Sequence, residues 1–154
     1  MKELIVIIDV SGSMYAMGKT SVVGNVLSTL SALEVFGDEN SNFFLTKMQW
    51  DGTSRVLEAL AEKSAGKNTL ILTDGYALSD NCKASKIIKK FFEENCDNLF
   101  VLLCGGDCMN ISALKEFRRV HTLCADNVLY ALECFGQIKN SSESKDDEGE
   151  EGWK

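Results

Sequence analysis

Short apolar runs alternate with segments of helical periodicity along most of this chain. Residues 4–9, 43–48, 69–73 and 99–104 are continuously apolar or nearly so, and residues 121–125 form a weaker fifth run. Continuous runs of this length are the pattern of strands buried on both faces of a parallel sheet. Between them, apolar residues recur at helical spacing: Val22, Val23, Val26, Leu27, Leu30 and Leu33, then Val56, Leu57, Leu60 and Ala61, then Ile87, Ile88, Phe91 and Phe92. Asp80 or Asn81 is the expected cap of the third helix, and residues 111–120 and 128–135 complete the set. Strand and helix repeated five times predict an α/β fold: a doubly wound, Rossmann-like, mostly parallel five-stranded sheet with helices on both faces and right-handed crossovers.

At 154 residues the chain is long enough for one domain, expected over residues 1–138. A domain of this size buries roughly 70% of its unfolded surface and needs no staples. The remaining residues, 139–154, hold six acids and three lysines with almost nothing apolar, and are expected to be a disordered acidic tail. Trp153 is the odd residue there. The formal net charge of −7 makes nucleic acid and an anionic membrane surface poor partners. The opening apolar run, residues 4–8, is too short for a signal peptide, and no later run reaches the roughly 18 residues of a membrane span. A cytoplasmic protein is therefore expected. The six cysteines include no CxxC pair and read as reduced, buried thiols; Cys104, Cys108 and the single histidine, His121, make a poor zinc set.

Two sites can be read from the loop after the first strand. Gly18-Lys19-Thr20 resembles the end of a phosphate loop, but the first glycine of that motif falls on Ser13, and Gly12 comes one residue too early. Asp9, Ser11 and Ser13 instead offer a carboxylate and two hydroxyls at alternate positions, with Gly12 expected to turn the backbone between them. Oxygen ligands of this kind suit Mg²⁺. If the sheet takes the common doubly wound order 2-1-3-4-5, the switch point lies between strands 1 and 3, and Asp9 and Asp74 end the two strands that flank it. Thr53 then arrives from the loop after strand 2.

The set Asp9-x-Ser11-x-Ser13, with Thr53 in a Gly-Thr loop and Asp74 in Leu-Thr-Asp-Gly, resembles the metal-ion-dependent adhesion site of the von Willebrand factor type A family. The likeness covers nearly all of residues 3–138. It implies Mg²⁺, with Mn²⁺ or Ca²⁺ as substitutes, held directly by Ser11, Ser13 and Thr53. Asp9 and Asp74 would act mainly through water and by orienting those hydroxyls. It also implies a vacant coordination position that takes an Asp or Glu from another protein. The chain departs from the family in its short connection from the second strand to Thr53, and is similar to compact intracellular members.

The expected function is thus a non-enzymatic, Mg²⁺-dependent protein-interaction module with Met14, Tyr15, Met17 and Tyr76 as a partner-facing rim. In this reading Lys19 is dispensable. The rival is a nucleotide-binding switch that uses Lys19 and Thr20. Phosphoryl chemistry at Asp74 fits less well, since receiver-type sites pair acids after strand 1 and Val10 follows Asp9 here. The acidic tail could offer a carboxylate to the metal of its own or a neighbouring molecule, giving self-association.

Overall fold

The computed structural model describes residues 2–36, 43–105 and 121–137. The helix expected over residues 111–120, the tail 139–154 with Trp153, and Cys108 lie outside them. Among the described residues the elements run β1 (Lys2–Asp9), α1 (Lys19–Phe36), β2 (Phe43–Trp50), α2 (Ser54–Ser64), β3 (Asn68–Thr73), α3 (Tyr76–Ala84), α4 (Lys86–Glu94), β4 (Leu99–Leu103), β5 (His121–Cys124) and α5 (Val128–Cys134). A short 3-10 turn, Gly12–Tyr15, bridges β1 and α1.

The five strands form one parallel sheet, as the alternation predicts, in the order β2-β1-β3-β4-β5 that a common doubly wound topology supposes. Side chains of a strand alternate between faces, and here both faces are covered. Ile5, Ile7, Ile71, Val101 and Leu103 pack with Leu57, Leu78, Ile88 and Phe92 of α2, α3 and α4. Leu4, Val6, Leu70, Leu72 and Leu102 pack with Val26 and Leu30 of α1 and with Ala131 and Leu132 of α5. Each fully buried Leu, Ile or Val contributes ~1.5–3 kcal/mol over its exposed state, so the apolar runs are the main source of stability. β2 ends the sheet, and its exposed Phe44, Lys47 and Gln49 explain why its run is less uniformly apolar.

One expected helix is two. Asp80 and Asn81 sit inside α3 rather than at a cap. The cap of α4 is Ser85, whose hydroxyl accepts from the Ile88 amide at 3.3 Å and donates to Glu58 Oε1 at 2.6 Å. The apolar spacing of α4 is as read, but α3 has a weaker pattern and its boundary is set by that serine. The cysteines also differ in part: Cys82 and Cys104 are buried thiols, whereas Cys124 and Cys134 are exposed. His121 opens β5 opposite Phe100, near the amino edge of the sheet and away from the carboxyl edge where the loops meet. No helix among the described residues is long and apolar enough to cross a membrane.

Candidate metal centre

The register of the sheet brings the first strand ends level. Asp9 pairs with Trp50 across β1 and β2, and Ile8 pairs with Leu72 across β1 and β3. The loops that follow β1, β2 and β3 therefore leave the sheet at one height, at the switch point between β1 and β3.

Asp9 is 2% exposed. Its Oδ1 accepts from the Ser11 amide at 2.8 Å and its Oδ2 from the Thr73 hydroxyl at 2.7 Å. The Thr73 hydroxyl in turn accepts from the Gly75 amide at 3.0 Å. A carboxylate on β1 thus locks the loop after β3 as well as its own. Ser11 precedes the 3-10 turn but forms no side-chain cap. Its Oγ is buried and, among the described residues, has no hydrogen-bond partner. Leaving a buried hydroxyl unsatisfied costs about 1–3 kcal/mol. Gly12 is not the pivot that its position suggests: a Cβ there would meet nothing within 4 Å. The left-handed backbone of this loop falls on Met17 (φ 58°) and Gly18 (φ 73°).

The second loop approaches Ser11 directly. Gly52 has φ 91°, and a Cβ there would lie 2.8 Å from Ser11 Cβ and 3.7 Å from Ser11 Oγ. Only glycine permits that approach. The loop is held from three sides: Val10 N donates to Trp50 O at 2.8 Å, Trp50 Nε1 to Thr53 O at 2.8 Å, and Asn81 Nδ2 to Gly52 O at 2.8 Å. Thr53 caps α2 through a long bond from the Val56 amide, 3.5 Å, and gives its one hydroxyl proton to Asp51 Oδ1 at 2.6 Å. The proton points at Asp51, which leaves lone-pair capacity on Oγ1. The Thr53 hydroxyl, and after it the Thr53 amide, holds the Asp51 carboxyl below the ordinary carboxylate range.

In the third loop Asp74 is 3% exposed. Its Oδ1 accepts from the Tyr76 amide at 3.2 Å, and its Oδ2 faces Lys19 Nζ at 3.0 Å. Lys19 is 1% exposed and also donates to Ser13 O at 3.2 Å. The ammonium therefore ties the Ser13 loop to the Asp74 loop. A cation at the first residue of a helix opposes the helix dipole, and the Asp74 carboxylate offsets that. The expected dispensability of Lys19 does not agree with this burial and pairing.

Comparison with family models, with curated proteins and with solved structures found no match.

The described residues contain no group of three or more His, Cys, Asp or Glu side chains placed to hold a metal. Any ion here would depend on hydroxyls together with the two strand-end carboxylates. The donors fit a small, hard cation: they are all oxygens, and the Ser11 hydroxyl is buried without a partner among the described residues. Asp9 and Ser11 are joined directly, and Ser13 is joined to Asp74 through Lys19. Thr53, exposed, follows Gly52, which packs against Ser11.

The loop is poorly arranged as a phosphate cradle. The amides of Ser11, Met14, Ala16 and Lys19 all donate to acceptors of the same loop, at 2.8, 3.0, 3.4 and 3.2 Å. A phosphate loop needs such amides directed at the ligand.

Around the centre, Tyr15, Met17 and Tyr76 are exposed, at 69%, 72% and 49%. Met14 is not part of that rim. It is 3% exposed and packs with Val26 and Leu72 in the core beneath the turn. A 3-10 turn carries successive residues round its axis, and Met14 is the one that faces the sheet. Four residues of the arrangement were missed by motif reading: Lys19, Asp51, Thr73 and Asn81. In the sequence Lys19 reads only as part of the phosphate-loop motif, and Asp51 has the weak signal of an Asp-Gly-Thr turn. Thr73 and Asn81 have no sequence signal, because their partners lie 64 and 29 residues away.

Proposed function

We propose that this chain is a cytoplasmic, non-enzymatic interaction module of the von Willebrand factor type A kind, whose partner carboxylate is taken up by a Mg²⁺ ion. The observation that carries the reading is the Ser11 hydroxyl, buried and unpartnered among the described residues, against Gly52 and in the loop whose amide Asp9 holds at the switch point of the sheet. Ser11, Ser13 and Thr53 would hold the ion, with Asp9 and Asp74 completing the set.

The chain's own residues divide the work. Asp9 holds the Ser11 amide and the Thr73 hydroxyl, which sets the spacing of two loops before anything binds. Asp51 accepts the hydrogen bond of the Thr53 hydroxyl and so orients its lone pairs. Bound Mg²⁺ supplies a positive charge that neutral hydroxyls leave largely uncompensated, so that an incoming Asp or Glu completes its shell. Tyr15, Met17 and Tyr76 supply apolar contact around that charged centre.

Electron paramagnetic resonance of Mn²⁺ with the metal-free protein, in the absence of nucleotide, tests this reading. Binding by the wild type that is lost in Thr53→Ala is expected. Binding that needs ATP and ignores Thr53 would overturn the proposal in favour of the nucleotide switch.

A further inference from the structure

We infer that Lys19 is a tethered cation within the metal centre, which keeps its intrinsic affinity for divalent ions low and makes occupancy depend on a partner carboxylate. The inference rests on the metal reading above and deepens it.

Lys19 is among the largest fully buried side chains of the protein. Its ammonium contacts Asp74 Oδ2 at 3.0 Å and Ser13 O at 3.2 Å, and both belong to residues of the proposed site. The Tyr76 ring stands over it, with Nζ 5.5 Å from the ring centroid, and the two side chains of the pair are 1% and 0% exposed. A positive charge is therefore already installed where a divalent ion would be attracted.

Formal charges give the consequence. Among the buried groups Asp9 and Asp74 bring −2 and Lys19 returns +1, so the buried part of the centre is −1 before metal binds; the Asp51 carboxylate is exposed and its charge is screened by solvent. A divalent ion takes it to +1, which is unfavourable in a buried place with reduced dielectric screening. One carboxylate from a partner restores neutrality. Without Lys19, the ion alone would neutralise the centre, and the partner's carboxylate would be surplus. Lys19 also occupies an oxygen of Asp74 that would otherwise face the ion directly or through water. Both effects lower the affinity for metal alone and raise the gain from a carboxylate.

The test measures Mn²⁺ affinity by electron paramagnetic resonance for wild type, Lys19→Met and Lys19→Gln, each with and without acetate as a monocarboxylate probe. Circular dichroism checks that each variant folds, and two choices of similar size guard against loss of one. Wild type is expected to bind weakly and to tighten with acetate. The folded variant is expected to bind about tenfold tighter or more without acetate, and to gain little from it. Equal or weaker Mn²⁺ affinity in the variants, with wild-type binding intact, overturns the role of Lys19 and leaves the metal centre standing. No Mn²⁺ binding by wild type or variants, with or without acetate, overturns both.

Discussion

Replacing glycine by alanine at two positions should shift stability in opposite directions, because the surroundings differ while the chemical change is the same. At Gly52 the backbone is left-handed, φ 91°, and the added Cβ would stand 2.8 Å from Ser11 Cβ and 3.5 Å from Ala77 Cβ. The conformation costs an alanine about 1–2 kcal/mol. The contact cannot be relieved by rotating a side chain, since both Ser11 and Ala77 meet it with their Cβ atoms. Forcing the loop aside strains the bonds from Val10 N to Trp50 O and from Asn81 Nδ2 to Gly52 O, and such overpacking costs about 1–3 kcal/mol. Gly52→Ala is therefore expected to lose about 2–4 kcal/mol. Gly24 lies inside α1, exposed, and a methyl group added there would meet nothing within 4 Å. Gly24→Ala should gain about 0.5–1 kcal/mol from reduced backbone freedom in the unfolded chain and better helix propensity. Urea unfolding of both variants against wild type, with unchanged slopes, gives the two differences. If Gly52→Ala lies within about 0.5 kcal/mol of wild type, the second loop does not approach Ser11 as described, and Thr53 is not brought to the centre.

Ser11→Ala separates stability from ion binding. Its hydroxyl is buried without a partner among the described residues, so its removal should leave the metal-free unfolding free energy within about 1 kcal/mol of wild type, or raise it, while Mn²⁺ binding is lost. A loss above about 2 kcal/mol in chelator would mean that the hydroxyl has a partner after all. Asp51 should titrate below its usual value of 3.8, because the Thr53 hydroxyl and amide both favour the charged form. The folded-state pKa is the depressed one, so the stabilisation is present above the ordinary carboxylate pKa and is lost as pH falls through the depressed value. A nuclear magnetic resonance titration of the Asp51 carboxyl carbon should show this, with Thr53→Val moving the value back up; an unshifted Asp51 refutes the orienting role assigned to it.

Patterns with a local cause were legible in the sequence. Continuous apolar runs predicted β1, β3 and β4 to within a residue or two, since a strand buried on both faces tolerates little else. The strand order followed from choosing a common doubly wound topology, and with it the placing of Asp9 and Asp74 at one edge. The break between α3 and α4 was not legible, because Ser85 caps α4 only where Glu58 of α2 and the Ile88 amide meet it. Nor was the split between Met14 and Met17. Two methionines three residues apart look alike as letters, and only the structure shows that the 3-10 segment turns Met14 into the core while Met17, beyond it at φ 58°, is exposed.

Lys19 marks the boundary most clearly. The sequence by itself determined a parallel α/β sheet and two carboxylates at the ends of its central strands, because burial and strand periodicity act over a few neighbouring residues. Only the tertiary structure decided that a lysine from the start of α1 lies buried against Asp74, 55 residues further along the chain. Its burial depends on the height at which three loops leave the sheet, and that height is a property of the register between strands rather than of any one segment.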